Sequence, residues 1–374
     1  MKSNMTPRER LRAVYHGETP DCVASLADLS YWHAGNGGGR FIPGKTGDAN
    51  HGKLKDLLAL HRQTGAAIHL NTGSYYRTHY TGGVEFRSGV DGDLYVEHFI
   101  TPLGELREVR QWSGQTCSWP ITRHMVSGVG DLRILRYIAQ HTGYAANWEL
   151  LAAVNRMVGE IGLPLVQVPY TGMGFFISRY AGVEQTVLLA ADEPDEFQET
   201  LDCLNRSHRE VVRLMAEGPS EVLMVSDNLS ADVQSPPWFR RYSSEHYRWM
   251  AQTAHACGKP IVSHIDGRLR GLLGLSAELG IDGGDAVTPA PWGDLTPREC
   301  REEAGDAFIL SGGVPPDHFH PEFPIETFDA AVEAWLALAD RSSALIIAPG
   351  DQLPPDGDPA RVTRMVEMAN ARRY

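Results

Sequence analysis

Residues 258–288 read Gly258-Lys-Pro-Ile-Val-Ser-His264-Ile-Asp266-Gly267-Arg-Leu-Arg-Gly-Leu-Leu-Gly-Leu-Ser-Ala-Glu-Leu-Gly280-Ile-Asp-Gly-Gly-Asp-Ala-Val-Thr288. The run from Pro260 to Ser263 is short, β-branched and bounded by Gly and Pro, which marks a buried strand. It ends in His264 and Asp266. Two residues apart in an extended segment, their side chains share one side. Leu269, Leu272, Leu273, Leu275, Ala277 and Leu279 follow at largely helical spacing until Gly280 stops the helix. Ile281 to Val287 begin the next apolar run. Strand, polar tip, helix and strand make a βαβ unit, and a chain of such units makes a parallel sheet. In these sheets functional groups collect at the C-terminal ends of the strands, where His264 and Asp266 stand. The structural alternative is a packed histidine ahead of an Asp-Gly turn.

The rest of the chain repeats this unit. Thr6-Pro7-Arg8-Glu9 starts a helix with an N-cap, Pro at N1 and capping-box spacing. Strands are expected at Val23–Asp28, Ala66–Leu70, Leu163–Val168, Glu221–Ser226, Pro260–Ser263, Ile281–Val287, Phe308–Ser311 and Leu345–Ala348, mostly separated by helices. Eight such runs predict a single (β/α)8 TIM barrel over residues 1–374 with an N-terminal extension. Alternating runs with turns at Gly82-Gly83 and Asp91-Gly92 predict an antiparallel β insertion at about residues 75–109. Helical patterns return at Asp131–His141 and Asn147–Ile161.

Composition narrows the function. With 34 basic and 47 acidic residues the formal charge is −13, which argues against nucleic acid and anionic membrane as partners. No apolar run approaches the roughly 18 residues of a membrane span, and the first residues lack a signal-peptide core. A cytoplasmic protein is expected. The five cysteines are scattered without a CxxC pair, so neither a disulfide framework nor a cysteine zinc cluster is indicated.

Other strand ends supply further candidates. Asp227 and Asn228 close the fourth strand beside the fifth. Asp227 there either orients His264, binds substrate, or caps the following loop. Tyr31 and Trp32 after the first strand, Asn71 after the second, Tyr170 after the third and Trp292 after the sixth are expected to line a substrate pocket. The Gly37–Gly39 loop lacks the Lys-Ser/Thr of a phosphate-binding loop.

Several passages in order resemble the uroporphyrinogen decarboxylase superfamily. They are Met5-Thr-Pro-Arg-Glu-Arg10 with Gly17-Glu-Thr-Pro-Asp21, Thr101-Pro-Leu-Gly104, Ser226-Asp-Asn228, Gly258-Lys-Pro260, His264-Ile-Asp-Gly267, Ser311-Gly-Gly-Val314 and Ala348-Pro-Gly-Asp351. The resemblance implies a (β/α)8 barrel. It looks closer to the branch of zinc methyltransferases that serve corrinoid proteins than to the haem-pathway decarboxylase, whose N-terminal arginine segment has no counterpart before Arg40. That branch holds zinc by His-x-Cys and a later Cys. The matching positions here are His264, Asp266 and Asp351, so the resemblance implies a divalent metal site with both cysteines replaced by aspartate. Such a donor set is harder than a thiolate site and suits zinc or a harder first-row metal.

The expected activity is a metal-dependent methyltransferase or demethylase acting on a small oxygen-bearing substrate, with a separate corrinoid protein as methyl acceptor. His264 and Asp227 are its catalytic candidates. A decarboxylase or other lyase, and a non-catalytic ligand-binding barrel, are the alternatives. The chain carries no corrinoid-binding signature of its own.

Overall fold

A computed structural model describes residues 4–40, 48–69 and 74–374. The helix Pro7–Tyr15 opens the chain with the expected cap: Thr6 accepts from the Glu9 backbone, Glu9 reaches back, and Pro7 occupies the first turn. Strands β1 (Ala24–Ala27) and β2 (Ala67–Ile68) follow. Six strands then leave the main sheet: β3 (Tyr76–Tyr80), β4 (Glu85–Asp91), β5 (Leu94–Thr101), β6 (Gly104–Gln111), β7 (Ile121–Arg123) and β8 (Thr142–Ala146). Six return to it: β9 (Leu165–Val168), β10 (Val222–Leu229), β11 (Ile261–Ile265), β12 (Gly283–Val287), β13 (Ile309–Val314) and β14 (Leu345–Pro349).

The main sheet runs β2-β1-β14-β13-β12-β11-β10-β9, with every pairing parallel. Its two ends meet through a parallel bridge between Ile68 and Gly162. A Cβ on Gly162 would stand 2.4 Å from the Ile68 side chain, so the bare backbone is what lets the ends approach. The eight strands thus close into the (β/α)8 barrel expected from the sequence. Their nearly continuous burial follows from closure, because helices cover the outside and side chains fill the inside. Leu26, Leu165, Val222, Met224, Val262, Ile309 and Ile346 fill the interior. Leu11, Val14 and Tyr15 of the first helix belong to the same cluster and plug its N-terminal end.

Three details differ from the sequence reading. The insertion does not end near residue 109: β7 extends the sheet β4-β5-β6-β7, and β8 pairs antiparallel with β3. Thr142-Gly-Tyr-Ala-Ala146 has weak strand propensity, and its extended form comes from the partner strand. The helix after β11 spans only Leu273–Glu278, because Gly271 takes a left-handed φ of 83° and breaks the periodic run. The helix Pro297–Ala304 before β13 carries a second Thr-Pro capping box, at Thr296, which the sequence reading passed over.

Candidate active site at the barrel mouth

The C-terminal ends of β1, β2, β11, β12 and β14 bring together two histidines and four aspartates. His264 lies beside Asp285 in the register of β11 and β12. Its Nδ1 is 2.9 Å from Asp285 Oδ2. His69, one residue past β2, places Nε2 2.9 Å from the same oxygen. Ser311 on β13 donates to Asp285 Oδ1 at 3.4 Å. One buried carboxylate therefore binds two imidazoles. The strand bends to present it: the register shifts between Gly284 and Val287, and Ala286 holds a left-handed φ of 63°. A non-glycine residue there costs on the order of 1 kcal/mol, a strain that bulges beside functional sites often carry.

The charges follow from this geometry. Burial opposes the Asp285 carboxylate, yet the two imidazoles hold it far below the ordinary carboxylate range. Burial opposes a charged His69 as well, but Asp285, with Asp28 and Asp351 beyond it, holds that ring up at about 9. His264 is also raised: burial works against it, and the hydrogen bond and charge of Asp285, helped by Asp351, outweigh burial and the repulsion of His69. Asp28 stands at the end of β1, with Oδ2 3.9 Å from His69 Nδ1, beyond hydrogen-bond reach. Its Oδ1 accepts from the Ser30 backbone at 2.8 Å.

Asp351, after β14, is pushed up by burial and by Asp266 and Asp28, against the pull of His264. His264, Asp266 and Asp351 are thus electrostatic neighbours. They are not gathered as ligands: among the described residues no group of three or more His, Cys, Asp or Glu is placed to hold a metal ion. Asp266 is exposed, and His264 spends Nδ1 on Asp285. The metal set that the family resemblance implies is not assembled among the described residues.

Asp227 does not orient His264; that place belongs to Asp285. Asp227 is buried between the ends of β9 and β10. Its Oδ1 accepts from the Thr171 backbone at 2.7 Å, and its Oδ2 accepts from the Thr171 hydroxyl at 2.7 Å and the Tyr247 hydroxyl at 3.1 Å. Burial raises its pKa to about 6 against these donors.

The expected pocket residues separate. Tyr31 sits with the acidic group: burial, then Asp351 and Asp28, raise its phenol, and Ser118 of the insertion hydrogen-bonds it. Tyr170 is half-buried beside Asp227 and stacks obliquely on Phe175. Trp32 instead pins the short helix Ser30–His33 to the loop after β14, through Nε1 donating to Gly357 O at 2.8 Å. Asn228 is exposed with a left-handed φ of 47°, and Trp292 is 60% exposed; neither carries a contact to the imidazole pair. Asn71 lies outside the described residues. The sequence reading missed Asp285 and His69, each absorbed into an apolar run. A lone ionisable residue inside a buried strand was the available signal.

A sequence profile of the family described as uroporphyrinogen decarboxylase (URO-D) matches residues 150–372. The fold is similar to that of a methyltransferase from Methanosarcina mazei, with a TM-score of 0.62, 17% identity, and 98% of each chain covered. A 3-keto-D-glucoside 4-epimerase from E. coli aligns with a TM-score of 0.35 and 13% identity over 65% of this chain and 94% of its own. A type I 3-dehydroquinate dehydratase from Clostridium difficile gives 0.30 and 12% over 60% and 74%. No curated protein matches the sequence.

Proposed function

Because the chain belongs to the uroporphyrinogen decarboxylase (URO-D) family, we propose that it is an enzyme working at the barrel mouth, and that it transfers a methyl group from a small oxygen-bearing substrate to a corrinoid carried by a separate protein. The observation that carries this reading is the grip on His264. Asp285 takes its Nδ1, and among the described residues its Nε2 has no hydrogen-bond partner. A ring charged beside an ionised carboxylate is a proton donor. The corrinoid supplies the methyl acceptor. His264 gives its Nε2 proton to the oxygen that the methyl group leaves, so the ether becomes an alcohol. Asp285 fixes the ring and steadies its charge, and His69 on the same oxygen keeps Asp285 ionised.

The surroundings favour this over porphyrinogen decarboxylation. Asp28, Asp266, Asp285 and Asp351 crowd one mouth, and the ion pairs found among them run to His69 and His264. A substrate with several carboxylates would meet like charge there. The end-to-end fold match to a methyltransferase agrees with the reading.

The test mixes purified protein with aryl and alkyl methyl ethers, with and without a reduced corrinoid protein, and follows the cobalt spectrum and the released alcohol. Methylation of the corrinoid with matching alcohol release is expected. Carbon dioxide release from a carboxylic acid, with no corrinoid present, would overturn the reading in favour of a lyase.

A further inference from the structure

We propose that Asp227 is a positioning residue whose carboxyl, bridging the ends of β9 and β10, sets the place of Tyr170 at the barrel mouth and moves it when the carboxyl gains or loses a proton. This rests on reading the mouth as the place of reaction.

Tyr170 is held through its neighbour. Thr171 gives Asp227 both its backbone N–H and its hydroxyl, while its Oγ1 accepts from the Gly174 backbone at 3.0 Å. The Gly172 backbone donates to Asn205 Oδ1 at 2.8 Å. The turn fits tightly around the carboxyl: a Cβ on Gly174 would come within 2.3 Å of Asp227 Oδ1. On the other side β10 is bulged, its register shifting between Val225 and Leu229, with Asn228 left-handed. The bulge aims Asp227 at the β9 turn instead of at His264.

An ionised Asp227 accepts all three donors. A protonated one holds a hydrogen where two hydroxyls already donate, so one must turn. Tyr247 has somewhere to turn, because Ser263 Oγ lies 3.1 Å from its hydroxyl. Tyr247 therefore turns, while the Thr171 hydroxyl, with no second acceptor among its hydrogen bonds, stays; its bond and that of its backbone N–H then run to a neutral carboxyl in place of a carboxylate and weaken. The β9 turn and Tyr170 then shift. The titratable and charged groups around this unit are Tyr247 on its helix, Tyr170 itself, Arg179 and Arg110 acting on Tyr170, and His208, which hydrogen-bonds the Tyr170 backbone. Burial holds His208 at about 4, so it stays neutral where Asp227, at about 6, titrates.

The experiment replaces tyrosine by 3-fluorotyrosine, assigns Tyr170 with Tyr170→Phe, and follows its fluorine resonance from pH 5 to pH 8. A titration with its midpoint near 6 is expected in the wild-type protein, and a flat line in Asp227→Asn. Tyr247→Phe, which deletes one donor to the carboxylate, raises the midpoint and serves if Asp227→Asn does not fold. A flat wild-type resonance, or an unchanged midpoint in either variant, would overturn the proposal. The readout needs no turnover, so its failure is distinct from failure of the methyl-transfer reading.

Discussion

Replacing Asp285 by Asn removes the charge that the two histidines share. Burial alone would depress a histidine at the His69 position, and the wild-type ring is nevertheless held at about 9 against an ordinary 6.5. At about 1.36 kcal/mol per tenfold change, that climb is a net gain of about 3 kcal/mol from ionic and hydrogen-bond coupling over the cost of burial. The depressed Asp285 is the other face of the same coupling and is not added to it. The sign follows from linkage. A raised histidine contributes stability that is fully present below pH 6.5 and is lost as the pH rises through about 9. Asp285→Asn is therefore expected to lose about 3 kcal/mol of unfolding free energy at pH 6, with the gap to wild type narrowing above pH 9. Urea unfolding at both pH values measures the gap, and nitrogen-detected imidazole titration locates His69, which should fall below 6.5 in the variant. A His69 that still titrates near 9 without Asp285, or a stability gap independent of pH, would refute the reasoning.

Three other outcomes can be measured with Asp285 left in place. Burial keeps His208 neutral down to about 4, and burial with the repulsion of His208 and Arg209 keeps His246 neutral down to about 3. Stability is therefore whole above pH 6.5 and falls below it, by about 3 kcal/mol per ring on approaching pH 4; unfolding at pH 7, 5 and 4 checks this, and a flat profile contradicts it. His246 stacks on Trp249 with both ring nitrogens buried and unpartnered, so His246→Phe keeps the stack, removes two unsatisfied polar atoms and raises stability by about 1 kcal/mol, read as a higher thermal midpoint. Dialysis against EDTA should leave the thermal midpoint unchanged, since the three expected ligands are not gathered; a drop reversed by zinc or manganese would show that His264, Asp266 and Asp351 close on a metal.

The barrel was legible because each strand is a short apolar run between breakers, and closing a sheet buries both faces of every such run. His264 and Asp351 were legible for a related reason: one stands in the last two residues of β11 and the other two residues past β14, so their place at the mouth follows from connectivity. Asp285 was not, because Gly283-Gly-Asp-Ala-Val287 reads as one buried run and the left-handed Ala286 that turns the carboxylate toward His264 leaves no pattern. His69 was hidden the same way, as the fourth residue of the apolar run Ala66–Leu70. Asp227 stood as one possible partner of His264, beside substrate binding and loop capping, because strand adjacency gives two neighbours, β10 and β12, and only the two bulges decide which acid faces the histidine. β8 was invisible since its strand form depends on β3, some sixty residues earlier.

The central claim, that His264 protonates the oxygen the methyl group leaves, is tested most directly by leaving-group dependence. Single-turnover methyl transfer to a reduced corrinoid protein is measured for wild type and His264→Gln, across aryl methyl ethers whose phenols span several pKa units. If His264 is the proton donor, the rate lost in the variant is small for the most acidic phenols and grows steadily as the phenol becomes less acidic. An equal loss for every ether would contradict the account.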